Sequence, residues 1–289
     1  MGAYRKEADL SKGISRGRRR YGRAILTGLV LATIGLGSAA GSASANHSWG
    51  NYHWSRTQNP FALTLGDDVT TSWDSYLGAV SADWSLDQAD STWLDATPPP
   101  PGDYVGPNPL NTTIVPGGTT GRRCRPSTSR IEVCDASYGN NGWLGLASIW
   151  VSGDHIVQGT VKLNDTYFAT SRYNTPAWRQ SVACQEVGHT FGLTHQDESG
   201  ADLDTCMDYS VTPNVHPDQH DYNQLARIYQ HADSSSGGSV SASPPSSRGA
   251  LKRVRDDLYV EDLGGGKLRF VWVFWTNRRV THGPPADAG

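Results

Sequence analysis

The sequence predicts an α+β domain, because it combines strand-like segments with helical ones. Between residues 61 and 165, several short apolar or alternating segments are bounded by Gly, Asn or Asp, which is typical of strands. Residues 70–85 and 217–231 carry apolar side chains three or four positions apart, the spacing of a helix. These two patterns set the fold class, and the elements follow from them in order.

The first elements are a strand, a helix and a long loop. PFALTLGDDV predicts a strand that ends at the turn Gly66–Asp68. In TTSWDSYLGAVSADWS the apolar residues fall on one face, which indicates core rather than a binding site. They are Trp73, Leu77, Val80 and Trp84. Proline and glycine in residues 98–121 predict a loop without regular structure.

Three further strands and two helices complete the main domain. IEVCDASY, LASIWV and GTVKLND predict the strands, and in the last Val161 and Leu163 point away from Lys162. Thr175 followed by Pro176 begins a long helix that stops at Gly192, since a cap residue and then proline mark a helix start. A last helix places its apolar side chains on one face. They are Tyr222, Leu225, Ile228 and Tyr229.

The end of the chain is separated by a linker rich in Ser, Gly and Pro, residues 234–249. Beyond it, DDLYVEDLGGGKLRFVWVFWT predicts a β-hairpin with a Gly-rich turn. The apolar run FVWVFW is too short to cross a membrane. The tail, residues 250–289, is either a small appended module or a flap that packs back on the main domain.

The start of the chain predicts export. Residues 1–45 join a basic segment, the apolar run AILTGLVLATIGLG and small residues ending in Ala43-Ser44-Ala45, the order of a secretory signal peptide. A retained N-terminal anchor is the alternative. The whole chain has a formal net charge of −3, and removing residues 1–45 with their 8 basic and 2 acidic side chains leaves −9. We therefore expect a secreted domain with neither nucleic acid nor membrane as partner.

Four cysteines in an exported chain predict two disulfides, although sequence alone does not fix their pairing. A bond between Cys124 and Cys134 would close one loop. A bond between Cys184 and Cys206 would tie the segment ACQEVGHTFGLTHQD, residues 183–197, to the residues just before Met207.

This segment carries the candidate site. On a helix Gln185 and His189 lie on one face, and Glu186 is one residue further round. Gly192 permits a sharp turn that brings His195 back to the same point. The order Q-E-V-G-H-T-F-G-L-T-H follows the extended zinc motif H-E-x-x-H-x-x-G-x-x-H, in which three ligands leave one position for water and the glutamate accepts its proton.

With TCMDY downstream, the chain resembles the metzincin metalloproteases, in particular bacterial matrixin- and astacin-like members, over residues 46–233. The resemblance implies a twisted mixed sheet above a cleft, a lower lobe with a methionine turn at Met207, and substrate bound as an extra strand along residues 159–165. It also implies that Tyr209 steadies the oxyanion of the transition state. We expect a metzincin-like fold with the hairpin appended.

The departure from the family is Gln185, where the first histidine ligand is expected. A carboxamide oxygen is a weaker zinc ligand than imidazole, so Tyr209, His155, His216 or His220 are alternative additional ligands. The hypothesis is a secreted, monomeric zinc endopeptidase acting on a peptide or protein. The residues assigned to it are the metal ligands His189, His195 and Gln185, and the catalytic residues Glu186 and Tyr209.

Two other functions and a second cation stay open. One rival is a catalytically inactive module of the same fold that binds peptide, because Gln185 weakens the zinc site. The other is a carbohydrate-binding protein, suggested by the many tryptophans. The acidic run DESGADLDTCMD could hold calcium, although it does not fit an EF-hand loop and also suits a solvated acidic loop.

Overall fold

One mixed sheet organises the part of the chain that the structure, a computed structural model, describes. That part comprises residues 47–85, 108–209, 212–234, 249–276, 283–285 and 288. The expected signal peptide and most of the linker lie outside it. Within it the fold is α+β, as expected from the sequence, with a twisted mixed sheet and few helices.

The described part of the chain contains nine strands and four helices. The strands are β1 His53–Trp54, β2 Phe61–Asp68, β3 Leu110–Pro116, β4 Ile131–Ala136, β5 Trp143–Ser152, β6 His155–Asn164, β7 Lys252–Arg253, β8 Leu258–Gly264 and β9 Lys267–Trp275. The helices are α1 Asp74–Ser85, α2 Asp165–Phe168, α3 Pro176–His189 and α4 Gln219–Ile228.

The sheet runs β3-β2-β4-β6-β5-β9-β8-β7, and β1 pairs with the start of β6. The β2–β3, β2–β4, β4–β6 and β1–β6 pairs are parallel, whereas β5 is antiparallel to both β6 and β9. The C-terminal hairpin, β8 and β9, therefore continues the main sheet instead of standing apart. Of the two arrangements that the sequence left open for the tail, the structure has the one that packs back.

Two sequence predictions about the sheet are wrong. Residues 159–165 do not form an edge, because β6 lies between β4 and β5. The neighbouring strand β5 has no free edge either, because β9 pairs with it along nearly its whole length. Residues 98–121 are also not all loop, since β3 forms within them. Its Leu110 and Thr112 are buried, and pairing on β2 alone tolerates the proline that ends the strand.

The helices pack on one face of the sheet and enclose the main core. The predicted inward face of α1 is confirmed, because Trp73, Leu77, Val80 and Trp84 are all buried. The predicted face of α4 is confirmed likewise, and an Asp218–Asp221 capping box begins that helix. Large aromatic side chains contribute much of the buried apolar area here.

The second face of the sheet is also covered, which the alternation in β6 did not predict. Lys162 points away from Val161 but is buried, with its Nζ atom 5.8 Å from the centroid of the Tyr138 ring. A smaller apolar cluster surrounds it, and Tyr259, Val271 and further residues of the hairpin belong to that cluster. The tail thus supplies core on both faces of the sheet.

Both disulfides join the cysteines nearest in sequence, Cys124 to Cys134 and Cys184 to Cys206. The second bond links α3 to the segment that contains Met207. Among the described residues no helix combines the length and the apolar character that a membrane crossing requires.

Gly188 is required where α3 packs on the segment 205–209. A Cβ atom at Gly188 would lie 2.5 Å from Met207 Sδ and 2.7 Å from a ring carbon of Trp84. We expect Gly188→Ala to lower the free energy of unfolding by about 1–3 kcal/mol, because a packed core does not accept the added methyl without moving. Urea unfolding of the purified protein measures the change.

Gly78→Ala is the matched control. Gly78 lies inside α1 with no atom within 4 Å of an added Cβ, so this variant should gain about 0.5–1 kcal/mol from helix propensity. Equal effects of the two substitutions would contradict the packing argument.

Candidate metal centre

Helix α3 and the turn after it bring the candidate ligands together. The Thr175 hydroxyl accepts a hydrogen bond from the Trp178 N–H and so caps the helix. Gly192 then adopts φ +100°, where a Cβ would lie 2.2 Å from the Tyr52 carbonyl oxygen. The chain turns there, and the rings of His189 and His195 come within 4.8 Å, centroid to centroid.

The Nδ1 atom of each of these two histidines faces an oxygen atom. His189 Nδ1 lies 2.9 Å from the Leu193 carbonyl oxygen, which can only accept, so the hydrogen of the neutral ring is on Nδ1. His195 Nδ1 lies 3.1 Å from Asp257 Oδ2, an ion-pair distance without the angle of a hydrogen bond. His195 Nε2 is buried and also makes no hydrogen bond within the described part of the chain. A carbonyl or carboxylate beside Nδ1 is the kind of second group that orients a metal-binding imidazole.

The charges at the site follow from burial and from the neighbouring carboxylates. Burial lowers the pKa of His189 well below its ordinary value, and the nearby His195 adds to this. Burial also lowers the pKa of His195, but Asp257 and Glu198 outweigh it and raise the pKa overall. Burial raises the pKa of Asp257, but His195 and Arg255 outweigh it, so the pKa falls. Asp257 is therefore an ionised carboxylate.

Gln185 is fully buried and joins α3 to the segment below it. Its amide Nε2 donates to the carbonyl oxygens of Cys206, at 2.7 Å, and Asp208, at 2.8 Å. These carbonyls belong to the residues on either side of Met207. The Gln185 side chain therefore links α3 to this segment through hydrogen bonds, next to the disulfide that links the same two pieces of chain. Both amide hydrogens are used in these two bonds, and Oε1 is the other polar atom of the side chain.

Glu186 packs against the sheet, and Tyr209 lies beside His195. Glu186 is fully buried against β5, where a Cβ at Gly145 would be 2.7 Å from Glu186 Cγ and 2.9 Å from its Oε1. The absence of a side chain at position 145 lets the carboxylate reach the backbone of that strand. The Tyr209 ring is 5.0 Å from the His195 ring.

Three histidines considered as alternative ligands lie elsewhere. His155 contacts Asp233, His216 pairs with Asp83, and His220 stacks on His47. Spacing along the chain could not predict that these three histidines lie away from His189 and His195, because their positions depend on how α4 and β6 pack.

The C-terminal hairpin and the residues just before it pack against the segment that carries the two histidines. Trp272 of β9 stacks on the His189 ring with centroids 5.2 Å apart and planes 10° apart. Arg255 forms an ion pair with Glu198 at 2.8 Å and donates to the Thr194 hydroxyl at 2.5 Å. No motif marks Trp272 or Asp257, and the linker separates both from the histidines, so the sequence did not predict them. The apolar FVWVFW run, which needs a surface to cover, was a signal for Trp272 alone.

The acidic run that suggested calcium is partly satisfied by its own loop. Asp197 Oδ2 accepts from the N–H and the hydroxyl of Ser199, and Asp202 Oδ1 accepts from the Asn214 amide at 2.7 Å. Glu198 faces His195 instead. The calcium site stays a prediction.

A scan against models of known protein families and a search among curated proteins gave no match for the chain. The local geometry and the motif therefore carry the functional argument. Imidazole nitrogen and amide oxygen are donor types that zinc accepts, the amide being the weaker of the two.

Gln185→Glu tests the crosslinking role of the amide. The change keeps the shape but removes two donors and turns a carboxylate oxygen toward two carbonyl oxygens. We expect the free energy of unfolding to fall by about 2–3 kcal/mol, the cost of leaving buried acceptors unsatisfied. Gln230→Glu is the matched control, because Gln230 is exposed and its change should stay within about 0.5 kcal/mol. Equal stability of both variants in urea would refute the role.

Proposed function

We propose that the chain is an exported zinc-dependent endopeptidase of the metzincin kind, whose cleft is closed in this structure by the C-terminal hairpin. The observation that carries the proposal is the pair of buried rings, His189 and His195, whose centroids are 4.8 Å apart and whose Nδ1 atoms face oxygen atoms. His195 Nε2 has no hydrogen-bond partner in the described part of the chain. The signal-like residues 1–45 and the two disulfides support export.

The ion would be held by His189, His195 and the Gln185 amide oxygen, a weaker set than three imidazoles. Zinc bound there would lower the pKa of a water and polarise the scissile carbonyl. Two backbone hydrogen bonds fix the Gln185 side chain, so little conformational entropy would be lost if its oxygen bound the ion. That saving would offset part of the weakness of an amide ligand.

Glu186 is the general base of the proposed reaction. Its carboxylate takes a proton from the attacking water and then gives it to the leaving amine. Its burial against Gly145 excludes bulk water from that transfer. Tyr209, whose ring lies beside His195, would donate a hydrogen bond to the oxyanion that forms on the carbonyl.

The substrate would be an extended peptide that adds to β5. In this structure β9 occupies that position, antiparallel to β5 from Trp143 to Ser152. Because strand addition satisfies the same backbone groups that β9 now satisfies, peptide and hairpin compete for one edge. The proposed enzyme is therefore latent until β9 leaves.

A second function is favoured by the same contacts. Both Gln185 N–H groups are used inside the fold, and the edge of β5 is filled, which also suits a non-catalytic module that binds a strand without zinc. The carbohydrate-binding alternative has less support, because six of the described tryptophans, Trp54, Trp73, Trp84, Trp143, Trp272 and Trp275, are buried, whereas Trp49, Trp150 and Trp178 are partly exposed.

Peptidase activity should appear when the hairpin is loosened. We expect the mature chain with zinc to cleave a quenched peptide library slowly, and at least about tenfold faster after a protease site inserted between residues 235 and 248 is cut. Cutting turns an intramolecular strand pairing into a bimolecular one and so removes its high effective concentration.

The cut protein also supplies the matched variants. Glu186→Gln keeps size and burial but removes the base, so activity should fall at least about 100-fold, and a chelator should abolish it. Asp154→Asn, in the exposed turn between β5 and β6, should change activity less than twofold. Cleavage indifferent to Glu186→Gln and to chelation would sink the proposal.

Gln185→His separates the enzyme from the binding module. If the amide already serves as a ligand, the histidine should tighten zinc binding but change kcat/KM by less than about tenfold, while the lost crosslink to Cys206 and Asp208 lowers stability. Zinc affinity and peptide cleavage are both measured on the cut form. Proteolysis that appears only in the Gln185→His variant would assign the natural chain to the binding class.

A further inference from the structure

A second group of metal-ligating side chains lies outside the candidate centre and shares no residue with it. His53 belongs to β1 and His155 is the first residue of β6, and the two are partners in the parallel register of those strands. His231 and Asp233 follow α4. The four residues come from the beginning, the middle and the end of the main domain, so only the fold brings them together.

Three of their ligand atoms form a nearly equilateral triangle. His53 Nε2 is 3.3 Å from His231 Nε2 and 3.4 Å from Asp233 Oδ1, and His231 Nε2 is 3.5 Å from the same oxygen. In a tetrahedral zinc site with bonds of about 2.0–2.1 Å, neighbouring ligand atoms are about 3.3–3.4 Å apart. The triangle therefore has the size of one face of such a tetrahedron.

Hydrogen bonds to the other polar atom of each side chain orient His53 Nε2 and Asp233 Oδ1 toward the triangle. His53 Nδ1 lies 2.8 Å from the Asn51 carbonyl oxygen, which only accepts, so Nδ1 carries the hydrogen. Asp233 Oδ2 accepts from the Arg56 N–H and from its guanidinium, both at 3.0 Å, which leaves Oδ1 for the triangle. Backing of both the imidazole and the carboxylate is typical of metal sites.

A cation also resolves a conflict between two acceptors. A neutral imidazole has one hydrogen, so when His53 donates through Nδ1 its Nε2 faces Asp233 Oδ1 lone pair to lone pair at 3.4 Å. His231 Nε2 faces both atoms and has one hydrogen at most to offer. An ion bound by all three atoms would replace these contacts with coordination bonds.

His155 is placed for the fourth position. Its Nε2 is 3.4 Å from Asp233 Oδ1, and its ring meets the His53 ring edge-on with centroids 4.9 Å apart. Its side chain is partly exposed, so it has room to turn toward the other three ligands.

We propose that His53, His231 and Asp233 bind a divalent cation of the zinc type, with His155 as the fourth ligand. Imidazole nitrogens select such an ion over calcium or magnesium, which prefer oxygen. Its role is structural, because it fastens β1 to the segment after α4, 178 residues further along the chain. The site closes the main domain immediately before the linker begins.

Zinc content and zinc-dependent melting of the mature full chain test the site. We expect His231→Ala and Asp233→Asn each to bind one zinc fewer per chain than the wild type after dialysis against zinc-free buffer. Adding zinc to the metal-free protein should raise the Tm of the wild type more than that of either variant, because binding to the folded state alone stabilises it. His231 is half-exposed, and circular dichroism checks that its variant is folded.

His216→Ala is the matched control, since His216 also pairs with an aspartate, Asp83 at 2.9 Å, but not within a cluster of histidines. It should keep the wild-type zinc content and Tm shift. Equal zinc content in wild type, His231→Ala and Asp233→Asn overturns the site. A wild type with two zinc ions and a His231→Ala variant with one supports both centres, whereas one and none supports this site and contradicts the proposed catalytic one.

Discussion

Contact between α3 and the segment 205–209 is the constraint on which the candidate centre depends. The disulfide from Cys184 to Cys206, the Gln185 amide on two backbone carbonyls and Met207 against Gly188 all join the same two pieces of chain. Together, a covalent bond, two buried hydrogen bonds and a close packing contact restrict both the sliding and the rotation of α3 against this segment. With the helix fixed in this way, Gly192 can return the chain and set the distance between His189 and His195.

This arrangement gives Gln185 a physical reason to be present. A histidine at that position could not donate to both the Cys206 and the Asp208 carbonyl oxygens, because a neutral ring has a single N–H group. In the proposed zinc site, the amide would give up metal affinity for rigidity beneath the ion. Asp257 belongs to the C-terminal part of the chain, and its carboxylate lies 3.1 Å from His195 Nδ1. The proposed ion would thus lie between two preorganised layers, one from the main domain and one from the hairpin.

Local signals predicted the elements well, and long-range pairing explains the errors. The period of α1, the Thr175-Pro176 start of α3 and the Gly-rich turn of the hairpin all depend on residues close in sequence. The position of a strand within the sheet depends instead on residues far apart in sequence. The sequence therefore predicted an edge at residues 159–165 and a loop where β3 forms, and both predictions are wrong. The motif supplied His189, His195 and Glu186, but Asp257, Trp272 and the group around His53 required the fold, because no spacing rule connects residues 53 and 231.

Pairing of β9 with β5 has a consequence for the association of chains. When β9 is released, its aromatic side chains and the bare edge of β5 become exposed at the same moment, and each is the partner that the other has lost. The link between Ser234 and Gly249 spans 14 intervening residues, enough chain for a hairpin to reach a neighbouring molecule. Two opened copies at high concentration can then exchange hairpins and restore every contact between subunits, so opening and reciprocal domain swapping draw on the same interface.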